Sequence, residues 1–256
     1  MKVFKLILNT IPRPILIKMS YWVSPLISLF LKGTTFTDPI DGKSFRKLLP
    51  YGYGKQRLNA LSPSTLSLER HRLLWLYLQN ETDFFTSEQK LNVMHFAPEQ
   101  EFYKRFKKQK NINYTTTDLL SPLADVKADI CNLPFEEKQF DVVFCNHVLE
   151  HIEDDKKAMS ELYRITKTNG IGLCLVPIML SLDKSLENKE YLQTEDLRWK
   201  YFGQDDHVRM YSKNDFITRL ERVGFKVEQY GQEFFGKDVF ESLGLDKKSI
   251  LYVVEK

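Results

Sequence analysis

Four sets of residues in this chain have types and spacings that could do chemistry. His147-x-x-Glu150-His151 matches the H-x-x-E-H pattern of inverted zinc peptidases. Its two histidines are four apart, the spacing of one helical face. The match is short, it follows an apolar run directly, and no third ligand is apparent, so roles in lining or supporting a pocket are preferred. Asp205-Asp206-His207-Val208-Arg209 joins a histidine to two acids and a guanidinium. His207 could serve as a general base oriented by Asp205 or Asp206, with Arg209 binding an acidic acceptor. A surface ion-pair cluster is the equal alternative. Asp118 and Asp129 close two predicted strands; alone they read as a helix cap and a turn residue. Finally, Asp38-Pro39-Ile40-Asp41-Gly42 and Ser62-Pro63-Ser64-Thr65 have the rhythm of paired zinc knuckles without a cysteine. Zinc asks for thiolate or imidazole ligands in a tetrahedron. Two Asp, a Ser and a Thr make a poor set, so no metal is expected.

The elements that would position these residues form an alternating pattern. Strands are expected at Leu91–Phe96, Asn113–Asp118, Ala124–Ile130, Phe140–Asn146, Ile171–Pro177, Phe225–Gly231 and Ser249–Val254. The nearly unbroken apolar run Phe-Asp-Val-Val-Phe-Cys-Asn suits a central parallel strand. Helices are expected at Glu101–Lys110, Asp154–Lys167 and Ser212–Val223, and also from Ser67, read as an N-cap. A polar insertion spans about 178–210. Such alternation implies an α/β, doubly wound, mostly parallel sheet with helices on both faces, its ligands at the carboxyl ends of the strands.

Composition is that of a globular chain, 43% hydrophobic and 28% charged over 256 residues. The net charge of +3 is unevenly placed. Lys2, Lys5, Arg13, Lys18 and Lys32 lie in residues 1–37 with no acid among them, and the remainder is near neutral. That distribution argues against a nucleic-acid-binding face. Three cysteines, Cys131, Cys145 and Cys174, suit neither a disulfide framework nor a ligand cluster; buried reduced thiols in a cytosolic protein are expected. Residues 3–31 are apolar and aromatic but are broken by Pro12, Arg13, Pro14, Lys18 and Pro25. The runs fall below the roughly 18 residues of a spanning helix, and a secretory signal is not expected. Two readings are open: helices packed on the domain, or a basic amphipathic segment on an anionic membrane surface.

The run Ala128-Asp129-Ile130-Cys131-Asn132-Leu133-Pro134-Phe135, then Phe140-Asp141-Val142, then His147-Val148-Leu149-Glu150-His151, then Glu161-Leu162-Tyr163-Arg164-Ile165 to Asn169-Gly170, resembles a class I S-adenosylmethionine-dependent methyltransferase. The likeness covers about a third of the chain. It implies a seven-stranded Rossmann-like fold with S-adenosyl-L-methionine as cofactor. Within it, Asp118 is placed for the ribose diol, and Asp129 with Ile130 for the adenine. Phe96, Ala97, Glu99, Leu119, Asn146 and His147 would complete the cofactor site. His207, His147 and His151 would be the catalytic candidates on the acceptor side. The first loop departs from the family's acidic residue and G-x-G: it reads His95-Phe96-Ala97-Pro98-Glu99, with Ala97 and Glu99 in the glycine places. It is similar to a branch of the family reading H-F-A-P-E. Relatives in that branch often carry a zinc ribbon before an S-L-E-R-H-R-L-L-W helix, which Ser67–Trp75 spells.

These readings give three segments: a basic amphipathic stretch at 1–33, a loop-rich relic of a zinc ribbon at 34–66, and a methyltransferase domain at 67–256. The expected function is methylation of a small-molecule, lipid or glycan acceptor by a cytoplasmic enzyme, peripheral on the inner face of the cell membrane. The rival is a catalytically inactive methyltransferase fold acting as a binding or scaffold protein.

Overall fold

The computed structural model describes residues 13–52, 56–121 and 124–256, with side chains from residue 22 onward in the first helix. Residues 1–12, which carry much of the expected amphipathic stretch, lie outside it. The chain divides into two compact units: residues up to Asn80 with Gly231–Ser249, and Glu81–Tyr230 with Ile250–Lys256. The contacts thus set the boundary after Asn80, not at 66, and give the first unit a segment from near the carboxyl end.

The first unit holds α1 (Arg13–Phe30), β1 (Lys32–Thr37), β2 (Ser44–Phe45), β3 (Leu49–Tyr51), β4 (Arg57–Leu61) and α2 (Glu69–Asn80). β1 pairs antiparallel with β2, and β3 with β4. Leu31, Phe45 and Leu48 form a small core. The new boundary has a polar cause. Arg72 on α2 is fully buried and donates to the carbonyls of Ala60, Ser67, Leu243 and Gly244 at 2.7–3.0 Å. One guanidinium therefore joins β4, the start of α2 and the 231–249 segment. Burial pulls its pKa below the ordinary arginine value, against the fields of Asp38 and Glu69. Ser67 does not cap α2. Its hydroxyl donates to Asp38 at 3.2 Å, and the Leu68 amide donates to His71 Nδ1 at 3.1 Å instead.

The second unit is built on a seven-stranded sheet. β5 (Leu91–Phe96), β6 (Ile112–Asp118), β7 (Val126–Lys127), β8 (Phe140–Asn146) and β9 (Thr166–Leu175) run parallel; β11 (Leu251–Glu255) inserts antiparallel beside β9, and β10 (Lys226–Tyr230) pairs antiparallel with β11 at the edge and so runs with the rest. The order is β10-β11-β9-β8-β5-β6-β7. From β5 the chain winds outward through β6 and β7, then returns to β8 on the other side of β5. The topological switch point therefore lies between β5 and β8, where open α/β sheets take their ligands. α3 (Gln100–Phe106), α4 (Asp155–Ile165) and α6 (Lys213–Arg222) alternate with the strands, and the polar insertion contains α5 (Glu195–Phe202). Asp154 and Ser212 cap α4 and α6 through side-chain bonds to the Lys157 and Asp215 amides. Gly172 lies where β9 meets β11: a Cβ there would come within 2.6 Å of Val254 Cγ2.

β8 and β5 fall at the predicted residues. β7 is only two residues long, so Asp129 lies in the loop beyond the strand and does not end it. β9 starts at Thr166, earlier than predicted, because Asn169-Gly170 sits within the strand rather than stopping it; Asn169 takes a left-handed φ of 64°. The cysteines are free; Cys145 and Cys174 are buried cross-strand neighbours, while Cys131 is half-exposed. Burial pushes the Cys174 thiol up to about 12, and Cys145 well above its ordinary value.

Candidate functional site

At the switch point a cavity of about 450 Å³ opens over the carboxyl ends of four parallel strands. Phe96 and Ala97 come from the end of β5, Thr117 to Leu120 from β6, Ala128 to Ile130 from the loop after β7, and His147, Val148, His151 and Ile152 from the turn after β8. Asp206 completes the wall. Six of the expected cofactor residues, Phe96, Ala97, Asp118, Leu119, Asp129 and Ile130, thus converge from three separate strand ends, with His147 from a fourth.

The local geometry explains their placement. Ala97 takes φ 46° and its amide bonds the Thr117 carbonyl at 2.9 Å, so the first loop makes a glycine-like turn with only a methyl group to accommodate. Asp118 spends Oδ1 on the amides of Leu120 and Ser121, at 2.7 and 2.6 Å. Asp129 Oδ1 accepts the Cys131 amide at 2.8 Å. Each carboxylate is thereby held by its Oδ1 to amides of its own loop. Ile130 is buried and Leu119 is 63% exposed, giving one apolar wall and one apolar flap for a planar ring.

Glu99 and Asn146 do not border the cavity. Their side chains bond to each other, Asn146 Nδ2 donating to Glu99 Oε2 at 2.9 Å. Glu99 also lies 3.9 Å from the ring of His95. The larger residue in the glycine place is thus turned toward the sheet, and the ligand space stays open. This pairing needs two strand ends side by side, β5 and β8, which no local pattern shows.

The histidines are arranged differently from expectation. Leu149–His151 is a single 3-10 turn, not an α-helix, and His147 precedes it with a left-handed φ of 54°. His147 and His151 therefore do not share a helical face, and the zinc-peptidase pairing fails. His147 Nδ1 meets Glu150 Oε1 at 3.1 Å. His207 is 2% exposed, off the cavity wall, with its ring 4.7 Å from that of His151. Burial lowers its pKa, against the raising field of Glu150, and holds the imidazole neutral near pH 7. Of the three catalytic candidates, then, only His147 and His151 face the cavity. Arg209 is also unavailable to an acceptor: it is buried and donates to the carbonyls of Leu149, Ile152 and Glu153, and to Glu187. It fixes the turn after β8. Thr117, Leu120, Ala128, Val148 and Ile152 also line the wall without being predicted, their one signal adjacency to predicted residues, and Asp206, expected to orient His207, lines it too.

The relic knuckles of the first unit do come together. Asp38 is fully buried, and its carboxylate accepts from the Ile40 amide and from the hydroxyls of Thr65 and Ser67. Ser62 Oγ accepts from the amides of Ser64 and Thr65. Asp41, the fourth position, points away to Lys43 at 3.3 Å.

The family profile described as "Methyltransferase domain" matches residues 81–174, from the start of the second unit through β9. That stretch, a little over a third of the chain, contains the parallel strands β5 to β9 that build the cavity and is what the chain shares with methyltransferases. Among its relatives, a ubiquinone/menaquinone biosynthesis C-methyltransferase of Brucella canis is 28% identical over 126 residues, covering 44% of this chain and 46% of that protein. A demethylmenaquinone methyltransferase of Staphylococcus aureus is 29% identical over 115 residues, covering 36% and 47%. The chain thus spans about half the length of the curated relatives it matches. A solved S-adenosylmethionine-dependent methyltransferase from Mesorhizobium loti is 15% identical, covers 72% of this chain and 98% of its own, and superposes with a TM-score of 0.49.

Proposed function

We propose that this protein transfers a methyl group from S-adenosylmethionine to a small, largely apolar acceptor, and that it does so as a peripheral protein of a membrane surface. The observation that carries the first part is the convergence of Asp118 and Asp129, each oriented by amides of its own loop, on a cavity at the switch point of the sheet. A ribose diol fits a carboxylate acceptor, and an adenine amino group fits a second one beside the buried Ile130. The cofactor supplies an electrophilic methyl on a sulfonium. The turn at Ala97 admits its amino-acid portion without the glycine-lined cradle a pyrophosphate would need. His147 and His151 border the same cavity on the side away from Asp118, where the acceptor belongs. An imidazole nitrogen there can take the proton of an acceptor hydroxyl or of an activated carbon as the new bond forms. The rest of the rate comes from alignment of acceptor and sulfonium in one walled space.

Calorimetry with S-adenosylmethionine tests this. The full chain binds one equivalent, and Asp118→Ala weakens binding by about 1.5–3 kcal/mol, the range for hydrogen bonds to a charged group. If the parent binds no cofactor, the enzymatic reading fails and the inactive-scaffold alternative takes its place.

The membrane part rests on α1. Trp22, Leu26, Leu29 and Phe30 are 84, 70, 74 and 75% exposed along one face, while Ser24 and Ser28 are buried on the other. Ser24 Oγ donates to the Pro63 carbonyl at 2.6 Å. A helix that buries serines and presents aromatic and aliphatic residues has its apolar face reserved for something outside the unit. Lys32, Lys43, Arg46 and Lys47 are exposed, and the Arg46 guanidinium lies 5.0 Å from the Phe30 ring centroid. Apolar contact ringed by cations suits an anionic lipid surface, each cation adding about 1 kcal/mol there. No described helix is long and apolar enough to cross a membrane. Two relatives are named for steps in quinone biosynthesis, which agrees with an apolar acceptor. Full-length protein pellets with anionic vesicles, less so at high salt, and Trp22→Ser with Leu26→Ser remains in solution. If this double variant instead turns a dimer into a monomer and vesicles bind neither form, the face is a protein interface and the membrane reading fails.

A further inference from the structure

Glu150 is 1% exposed, and its Oε2 has no hydrogen-bond partner among the described residues. A buried carboxylate oxygen in that condition is costly unless a cation or a donor meets it. The nearest candidates are two imidazoles. One ligand atom from each of Glu150, His151 and His207 lies within 4.8 Å of the others. The two rings stand 4.7 Å apart at 84°, edge to face.

Both histidines are oriented from behind. His207 Nδ1 lies 3.0 Å from the Phe202 carbonyl. His151 Nδ1 lies 3.2 Å from the Asp206 carbonyl and 3.4 Å from its carboxylate. Those acceptors make Nδ1 the donor in each ring, which leaves Nε2 to face elsewhere. A histidine held by Nδ1–H to a carbonyl or carboxylate, with Nε2 presented, is how proteins prepare a metal ligand.

We infer that Glu150, His151 and His207 bind one divalent transition-metal ion, through a carboxylate oxygen and the two Nε2 atoms. Two imidazoles and one carboxylate select zinc, iron(II), cobalt or nickel over calcium or magnesium, which take oxygen ligands. Donors around a tetrahedral zinc, at bonds of about 2.0–2.2 Å, are roughly 3.4 Å apart. The set closes by small rotations, chiefly of the half-exposed His151. Three protein ligands leave a fourth position for water or another donor. His151 also borders the cavity, so the ion would tie the segment around Asp206 and His207 to the turn after β8 and fix the cavity wall. This departs from the sequence expectation of no metal. It also differs from the H-x-x-E-H pairing, since His147 is excluded and His207 comes from a distant loop.

The test uses full-length protein without a histidine tag, stripped with a chelator and dialysed against zinc or cobalt(II). The parent takes up one equivalent of zinc that survives gel filtration, and its cobalt form shows the visible absorption of low-symmetry nitrogen and oxygen ligation. Glu150→Gln and His207→Gln each weaken zinc binding at least about 100-fold, beyond the 10–100-fold cost of losing a partner outside the ligand set. His147→Gln removes a partner of Glu150 but no ligand, and weakens it by no more than about 10–100-fold. If the stripped parent takes up no stoichiometric zinc or cobalt, the assignment is overturned, whatever the variants do. It is equally overturned if His147→Gln abolishes uptake while His207→Gln retains it. Both readouts are independent of methyl transfer and cofactor binding.

Discussion

Two buried polar clusters in this molecule solve the same problem in opposite ways. Around Asp38, four positions with knuckle spacing and no thiol or imidazole yield a carboxylate met by one amide and two hydroxyls. Around Glu150, two oriented imidazoles lie beside a carboxylate whose Oε2 has no hydrogen-bond partner among the described residues. The first cluster is closed by its own donors; a cation there would displace hydrogen bonds already made. The second offers lone pairs only. Spacing in the sequence drew attention to both, but it is the donor count that separates a structural knot from a ligand set.

Disrupting the closed cluster has the larger effect. Arg72→Ala removes a buried guanidinium's bonds from the carbonyls of Ala60, Leu243 and Gly244, and from Ser67, which keeps the Ser62 amide, and the expected loss is about 3–5 kcal/mol, read as a large fall in the melting temperature of the purified chain. Arg72→Lys rescues little, because one ammonium cannot reproduce the planar fork. Asp38→Ala comes next. It strands the Ile40 amide and the Thr65 and Ser67 hydroxyls, at about 3 kcal/mol or more, measured by denaturant unfolding. The open cluster responds least. In chelated protein Glu150→Gln keeps the shape of the side chain and an oxygen for His147, while placing an amide where one carboxylate oxygen lacked a partner, so stability stays within about 1 kcal/mol of the parent or rises. A loss as large as that of Asp38→Ala, in metal-free protein, would mean that Glu150 is a closed structural group too and that the contrast is false.

The cavity at the switch point was more legible than either cluster. Strand ends can be read from apolar periodicity, and a carboxylate just beyond one falls near the switch point whatever the details of packing. Asp118, Asp129, Phe96 and Ala97 could therefore be placed at its wall without the fold. Glu99 and Asn146 were misplaced because each was read against its own loop, while their true partner is each other across two strands. His207 was read as an exposed base because its neighbours are acidic. Its burial depends on how the insertion folds back over the turn after β8, and Arg209 anchors that turn.

The sequence by itself determined the alternation of strands and helices, the central position of β8, the capping of α4 and α6, and the carboxylates at the mouth of the sheet. All of these follow from local propensity, periodicity and short-range hydrogen bonding. Only the tertiary structure decided which side chains face ligand and which face each other, that Leu149–His151 is a 3-10 turn, that α1 turns its serines inward, and that Glu150, His151 and His207 meet. Those outcomes are set by contacts between residues far apart in the chain, where burial and the supply of hydrogen-bond partners, rather than neighbouring residue types, fix each side chain's direction.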